Sequence, residues 1–191
     1  MSENVVNIPI QKTLKHTPGN LWEYSSGTTN LLSGLLKNRF NTINDYHLFP
    51  YDSLFYRIGM KNTYLETDEA GNFIGSSYCY ASARDWGRFG LLFLNEGNWW
   101  GDQVLSESWI EYCKTTNEHS NGIYGGHFWH NKNQSVYKNA PKSLFECNGF
   151  QGQFVMIFPS YDLVVVRLGV GKNFNKDHFV QISLEAFAKV K

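Results

Sequence analysis

The chain has 191 residues, of which 42% are hydrophobic and 16% are aromatic. This length and composition suffice for one hydrophobic core and exclude an intrinsically disordered chain. Seventeen basic residues balance seventeen acidic ones, so we expect no nucleic-acid or anionic membrane partner.

The start of the chain has no basic stretch followed by a long apolar run. No segment approaches the ~18 consecutive apolar residues of a membrane span. We therefore expect a cytoplasmic protein, as the sequence is written. The sequence determines little about residues 1–17.

The first predicted helix runs from Thr28 to about Asn38. Its apolar positions lie at the spacing of a stripe along one side of a helix. They are Leu31, Leu32, Leu35 and Leu36. We expect this stripe to pack on the core. Next, the apolar residues between Leu48 and Ile58 predict a short helix, and residues 68–72 predict a tight turn in a hairpin or loop.

Two further helices are predicted in series. Ser82 and Asp85 fit the Ser-x-x-acid pattern of a helix start, and that helix runs to Gly97. After a turn at residues 97–101, Ser106 caps a second helix.

The character changes to strands after Gly122. The predicted strands are residues 123–130, 144–150, 153–158 and 163–168, with a hairpin turn at 159–162. A final helix covers residues 177–191. The fold class is therefore α+β, with a three- or four-stranded antiparallel sheet flanked by helices. Residues 1–191 are expected to form a single domain.

Three motifs in this order resemble the β-lactamase and penicillin-binding-protein-like serine hydrolases, especially the class C, esterase and 6-aminohexanoate-dimer hydrolase branch. Residues 18–32, with Pro-Gly followed by Tyr-Ser-Ser-Gly and a leucine helix, resemble the family's second motif. Residues 82–103 resemble the helix and turn that precede its sheet, and residues 149–166 resemble its catalytic-edge strand and the neighbouring strands. The resemblance implies the C-terminal portion of a β-lactamase-like fold.

In that family a serine on a Ser-x-x-Lys helix attacks a carbonyl, the lysine and the motif tyrosine move its proton, and backbone amides bind the oxyanion. The resemblance implies that Tyr24 is the proton-transfer residue and that Ser26 holds the third motif position. A tyrosine needs nearby cations to lower its pKa from ~10 for this role.

The resemblance also assigns the substrate-binding strand. Cys147, Asn148 and Gly149 take the place of the family's Lys-Thr-Gly or His-x-Gly triplet, and the amide of Phe150 is the expected oxyanion donor. Cys147 stands where the family has a cation or histidine.

The nucleophile of the family is missing. Only 23 residues precede Tyr24, which leaves no room for the Ser-x-x-Lys helix. The literal match Ser135 to Lys138 lies after Tyr24, in a polar stretch where a hairpin loop is expected. The family's first two strands have no counterpart either, so we expect an exposed sheet edge.

We therefore expect a fragment of a serine hydrolase that acts on an amide, ester or β-lactam and is inactive alone. Its partners would be a small acyl substrate and the missing N-terminal half on another chain. The alternative is a non-catalytic binding or interaction module derived from the fold.

Several residues also have purely structural explanations. Tyr24 fits a core aromatic, and Ser25 and Ser26 fit helix N-caps. His127 and His130 are spaced to face opposite sides of a strand, so no metal site is expected, and no cofactor is expected either. Cys147 fits a buried strand cysteine better than a substitute nucleophile, and the three cysteines, which include Cys79 and Cys113, predict reduced thiols.

Overall fold

A computed structural model describes residues 4–171 and 174–190. The chain forms two compact units, one up to Asp85 and one from Trp86 onward. Helices and antiparallel strands together confirm the predicted α+β class. The expectation of a single domain stays a prediction. No helix of the described residues is both long and apolar enough to cross a bilayer.

The first unit is mainly helical. Its elements are α1 (Asn7–Ile10), α2 (Ser26–Lys37), α3 (Ile43–Pro50) with a π-helical turn (Tyr51–Phe55), and the antiparallel hairpin β1 (Thr63–Leu65) and β2 (Cys79–Ala81). The predicted short helix is confirmed, although it begins earlier, at Ile43. Thr42 sets that start because its Oγ1 accepts a hydrogen bond from the amide of Asp45 at 3.1 Å. Helix α1 lies within residues 1–17, for which the sequence predicted no helix or strand.

Helix α2 confirms the first predicted helix, but its leucines do not face the core. Leu32, Leu35 and Leu36 are 48%, 55% and 40% exposed, whereas Asn30 and Gly34 are buried. The expectation that the leucine stripe packs on the core is wrong.

Polar contacts and one small residue decide which side of α2 turns inward. Asn30 accepts a hydrogen bond from the amide of Ser76 at 3.2 Å. Ser33 donates to the carbonyl of Phe73 at 2.8 Å. A Cβ atom at Gly34 would come within 2.6 Å of Val6, so only glycine lets the N-terminal segment lie this close. The hydrophobic pattern could not reveal these contacts.

Three further helices and two short strands belong mainly to the second unit, and the first of these helices begins just before the boundary at Asp85. They are α4 (Ala83–Leu94), β3 (Asn98–Trp99), β4 (Asp102–Gln103), α5 (Glu107–Lys114) and α6 (Lys176–Ala188). The predicted start of α4 is confirmed because Asp85 N donates to Ser82 Oγ at 3.2 Å. Ser106 caps α5 as predicted. Helix α6 begins one residue before the predicted start, and Lys191 lies outside the described residues.

The main sheet has five antiparallel strands in chain order. They are β5 (Tyr124–Gly125), β6 (Phe128–His130), β7 (Phe145–Gly149), β8 (Gln153–Phe158) and β9 (Leu163–Arg167). Residues 123–130 were expected to form one strand. They form the hairpin β5–β6 instead, because Gly126 and His127 both adopt positive φ values, 53° and 67°, and reverse the chain.

Helices cover both faces of this sheet, with strand β8 between them. Phe154, Met156 and Phe158 lie in one cluster with Val180 of α6. Ile157 lies in the other, which also contains the following side chains from α4, α5 and the sheet: Phe93, Ile110, Cys113, Phe128 and Phe145. The alternation along β8 follows from the two-residue repeat of a strand.

Strand β9 is an outer strand of the sheet, since among the described residues it pairs with β8 alone. Its neighbour on one face is α4. A Cβ atom at Gly90 would come within 2.5 Å of Val164, whereas one at Gly87 would lie 4.0 Å from Val166. Helix and strand are therefore closest at Gly90.

Replacing Gly90 with alanine should push α4 away from β9. We expect Gly90→Ala to lower the free energy of unfolding by about 1–3 kcal/mol. The matched change Gly87→Ala should be neutral or stabilising by up to ~1 kcal/mol, because alanine favours the helix and its Cβ makes only an ordinary van der Waals contact with Val166. Urea unfolding of both variants measures the difference. Equal stabilities would contradict the close approach at Gly90.

Candidate active site

Tyr24 lies just before α2 and its side chain is 55% exposed. The idea that it is a buried tyrosine, or a core aromatic, is therefore wrong. More than half of the residue's surface is open to solvent, and a proton-transfer group must be within reach of the reactant. The catalytic role of Tyr24 stays a prediction.

The two serines after Tyr24 have different structural roles. Ser25 has extended backbone angles and its Oγ accepts a hydrogen bond from the amide of Thr28 at 3.4 Å, so Ser25 is the N-cap of α2. Ser26 is the first helical residue and is exposed. Its hydroxyl is therefore not used as the helix cap, and its place in the predicted site is untested.

The strand triplet lies at the end of β7. Cys147 pairs with Val155, and the exposed Asn148 and Gly149 pair with Phe154 and Gln153 of β8. Cys147 is half-buried and packs against the cluster beneath α4 and α5. The end of β7 is thus exposed to solvent at Asn148 and Gly149, whereas the side chain of Cys147 is partly buried.

Phe150 begins the turn between β7 and β8 and is 85% exposed. Two residues with positive φ follow, Gln151 at 59° and Gly152 at 92°, and they return the chain to β8. This turn holds the amide that the resemblance assigns to the oxyanion. Asn148, Gly149 and Phe150 therefore form one continuous exposed segment.

Hydrogen bonds from Arg167 and Gln153 hold this turn, and the sequence analysis did not predict them. Arg167 Nη1 donates to the carbonyl oxygens of Gly152 and Gly169, the latter at 2.8 Å. Gln153 Nε2 donates to the same Gly169 oxygen at 3.0 Å, and the Gly169 amide donates back to Gln153 Oε1 at 2.8 Å. The guanidinium lies 3.8 Å from the ring centroid of Phe174. The available indication in the sequence was one charged residue, Arg167, at the end of the valine-rich strand β9.

A buried ionic network lies next to the triplet, at Glu146. Tyr137 donates its hydroxyl hydrogen to Glu146 Oε2 at 2.7 Å, and Lys176 Nζ lies 3.0 Å from Glu146 Oε1. Glu146 is 1% exposed. Burial raises the pKa of Glu146, and the lysine and tyrosine contacts offset this only in part. Burial also raises the pKa of Tyr137, so the phenol stays a donor.

The other candidate groups are not arranged for catalysis. Ser135 and Lys138 are exposed and lie in a loop, as predicted, so they do not share one face of a helix. His127 is an exposed turn residue, whereas His130 is buried on β6. In the described part of the chain, no cluster of three or more His, Cys, Asp or Glu side chains could hold a metal ion. Burial raises the pKa of Cys79 and Cys113 to about 11.

Comparison with known proteins decides the family. The family model described as Beta-lactamase matches residues 4–188. The chain belongs to the β-lactamase family. No curated protein matches the sequence.

Solved structures of this family share the fold. A putative 6-aminohexanoate-dimer hydrolase from Bacillus anthracis superposes with a TM-score of 0.79 at 22% identity, over 97% of this chain and 48% of that one. A β-lactamase from Mycobacterium bovis gives 0.69 at 18% identity, over 91% and 66%. A putative β-lactamase from Bacteroides dorei gives 0.64 at 14% identity, over 93% and 60%. This chain thus spans about half to two thirds of their length.

The N-cap assignment can be tested with the two serines as matched partners. We expect Ser25→Ala to lower the free energy of unfolding by about 0.5–1 kcal/mol, because the Thr28 amide loses its acceptor. Ser26→Ala should change it by less than ~0.3 kcal/mol. Urea unfolding and hydrogen exchange at the Thr28 amide provide the measurements. A larger loss in Ser26→Ala would reverse the assignment.

Glu146 should make stability depend on pH. The pKa of Glu146 is higher in the folded chain than in the unfolded chain, so folding is favoured while the carboxyl is protonated, below its ordinary pKa of 4.5. This contribution is lost as the pH rises through the folded pKa. Glu146→Gln cannot ionise and keeps an acceptor for Tyr137.

We therefore expect the stability of Glu146→Gln, relative to the wild-type chain, to rise between pH 4 and pH 7. Urea unfolding of both proteins at each pH measures the change. The difference between the two proteins removes the contribution of the other carboxyl groups to the pH dependence. A difference that is independent of pH would contradict the raised pKa.

Proposed function

We propose that this chain is the C-terminal part of a β-lactamase-like serine hydrolase. Its chemistry is acyl transfer from an amide, ester or β-lactam to a serine and then to water. The observation that carries this proposal is the family match over residues 4–188, which includes both the Tyr24 motif and the β7 triplet. The substrate is a small acyl compound.

Two parts of the chemistry are assigned to this chain. Tyr24 takes the proton from the serine hydroxyl as it attacks the carbonyl carbon, and returns a proton to the leaving group. The Phe150 amide donates a hydrogen bond to the oxyanion, and a well-placed donor of this kind contributes ~10²–10³ in rate. The exposure of both residues supports these roles, since a substrate can reach them.

The serine is assigned to a different stretch of polypeptide. No Ser-x-x-Lys sequence precedes Tyr24 in these 191 residues, and Ser135 lies in a loop. The nucleophile therefore comes from the N-terminal half of the hydrolase, outside these 191 residues. Alone, these residues are inactive.

A second candidate function is a non-catalytic binding module that retains the fold. The exposed leucines of α2 favour it, because a helix that turns Leu32, Leu35 and Leu36 outward presents an apolar surface.

The first test is hydrolysis of nitrocefin and p-nitrophenyl butyrate by the purified chain, with fluorophosphonate labelling and mass spectrometry. We expect neither turnover nor a labelled serine. Turnover that disappears in Tyr24→Phe, together with a labelled serine, would show that the site is complete within this chain and would contradict the external nucleophile.

The second test adds the part of the Bacillus anthracis hydrolase that this chain does not cover, by co-expression. We expect turnover that falls by at least ~10²-fold in Tyr24→Phe. Tyr78→Phe is the matched control, because Tyr78 is a similarly exposed tyrosine, and it should keep full activity. Equal rates for the two variants would contradict the role of Tyr24.

A further inference from the structure

The loop between β7 and β8 is short, and its own backbone does little to fix its conformation. It consists of residues 150–152, and the pairing of Gly149 with Gln153 closes it. Gln151 and Gly152 both have positive φ values, 59° and 92°. Because a glycine has many other accessible conformations, the pairing at one end does not by itself hold the peptide planes of this loop.

Arg167 provides a second attachment for the loop. Its Nη1 donates hydrogen bonds to the carbonyl oxygens of Gly152 in the loop and of Gly169 beyond the end of β9, the latter at 2.8 Å. Gln153 makes two hydrogen bonds with the backbone of the same Gly169, at 3.0 and 2.8 Å. The loop is therefore tied through Arg167 to a segment that β8 already holds.

The guanidinium of Arg167 is itself held in place. It lies 3.8 Å from the ring centroid of Phe174, and a Cβ atom at Gly171 would lie 3.2 Å from its Nη2. Within the described residues its hydrogen-bond acceptors are two backbone carbonyls, and no carboxylate pairs with it. Arginine presents its donors in a rigid planar fork and stacks on aromatic rings. Arg167 is thus placed to hold backbone in one orientation, and does not act as half of an ion pair.

We propose that Arg167 is a positioning residue for the oxyanion-binding amide of Phe150. The Cα atoms of Phe150 and Gly152 lie within about 7 Å of each other, because only two peptide units separate them. Since the loop is closed at both ends, a rotation of the peptide plane at Gly152 must be compensated in the rest of the loop, which includes the Phe150 N–H. By holding the Gly152 carbonyl, Arg167 keeps that N–H aimed at one point before the charge develops on the substrate.

This role deepens the proposed function and rests on it, because an oxyanion forms only if acyl transfer takes place. It also adds a residue to the site that the three sequence motifs do not contain. Arg167 directly follows the last of them, residues 149–166.

The first measurement requires no activity. NMR relaxation of the backbone amides in the purified chain gives the order parameter of the Phe150 N–H. We expect about 0.85, the value of rigid backbone, in the wild-type chain and less than ~0.6 in Arg167→Met, which keeps an apolar side chain beside Phe174 but has no donor. Arg84→Gln is the matched control, because it changes an exposed arginine on α4, and it should leave the value unchanged. Thermal unfolding checks that each variant is folded. Equal order parameters in Arg167→Met and the wild-type chain would overturn the proposal.

The second measurement uses the hydrolase reconstituted by co-expression, with p-nitrophenyl butyrate as substrate. Arg167→Met should lower kcat at least about tenfold and change KM less than ~2-fold, because the donor acts on a charge that is absent from the bound substrate. Arg167→Lys keeps the charge and a donor but lacks the fork, so its kcat should lie between the other two.

A loss confined to KM, or an undiminished kcat in Arg167→Met, would overturn the proposal. Absence of turnover in the wild-type pair would contradict the proposed function instead. The order parameter would then still decide whether Arg167 positions the Phe150 amide, so the two failures can be told apart.

Discussion

The burial of strand β8 on both faces is the constraint on which the second unit depends. Each residue from Phe154 to Phe158 is less than 5% exposed. Phe154, Met156 and Phe158 enter one cluster, and Ile157 enters the other. A shift of the pairing by one residue would exchange the two sets of side chains. The register of β7 and β9, and thus the place of every residue on them, follows from this one strand.

The pairing register of β7 with β8 also fixes the position of the candidate substrate-binding segment, residues 147–150. Gly149 pairs with Gln153, and Gln153 and Arg167 hold the following turn from the β8 and β9 sides. Glu146, three residues earlier, is tied to α6 through Lys176. The exposed Phe150 therefore stands on a segment that is held at both ends, as an oxyanion donor requires.

The sequence predicted what depends on local chemistry and on alternation. Ser82 and Ser106 marked helix starts because their hydroxyls accept local amide hydrogen bonds, and the strand pattern identified β7 to β9. It failed at α2, where contacts from Ser76 and Phe73, distant in sequence, override the leucine pattern. It failed at 123–130 because a positive φ at His127 is not encoded in residue hydrophobicity. Within the site, the triplet on β7 could be recognised as a sequence motif. The hydrogen bonds from Arg167 to Gly152 and Gly169 could not be predicted, because they form only after β8 and β9 pair.

The order of the strands in the sheet has a consequence for folding. In β5 to β9 every strand pairs with its neighbour in sequence, so the described residues of this sheet contain no crossover connection. Residues 126–127, 150–152 and 159–162 close three of the hairpins with short loops, and residues 131–144 close the fourth. The entropy lost in closing a loop grows slowly with its length. Proteins whose contacts are mostly local in sequence fold faster than those that must first join distant segments. The five strands that include Asn148 and Gly149 can therefore assemble one after another along the chain.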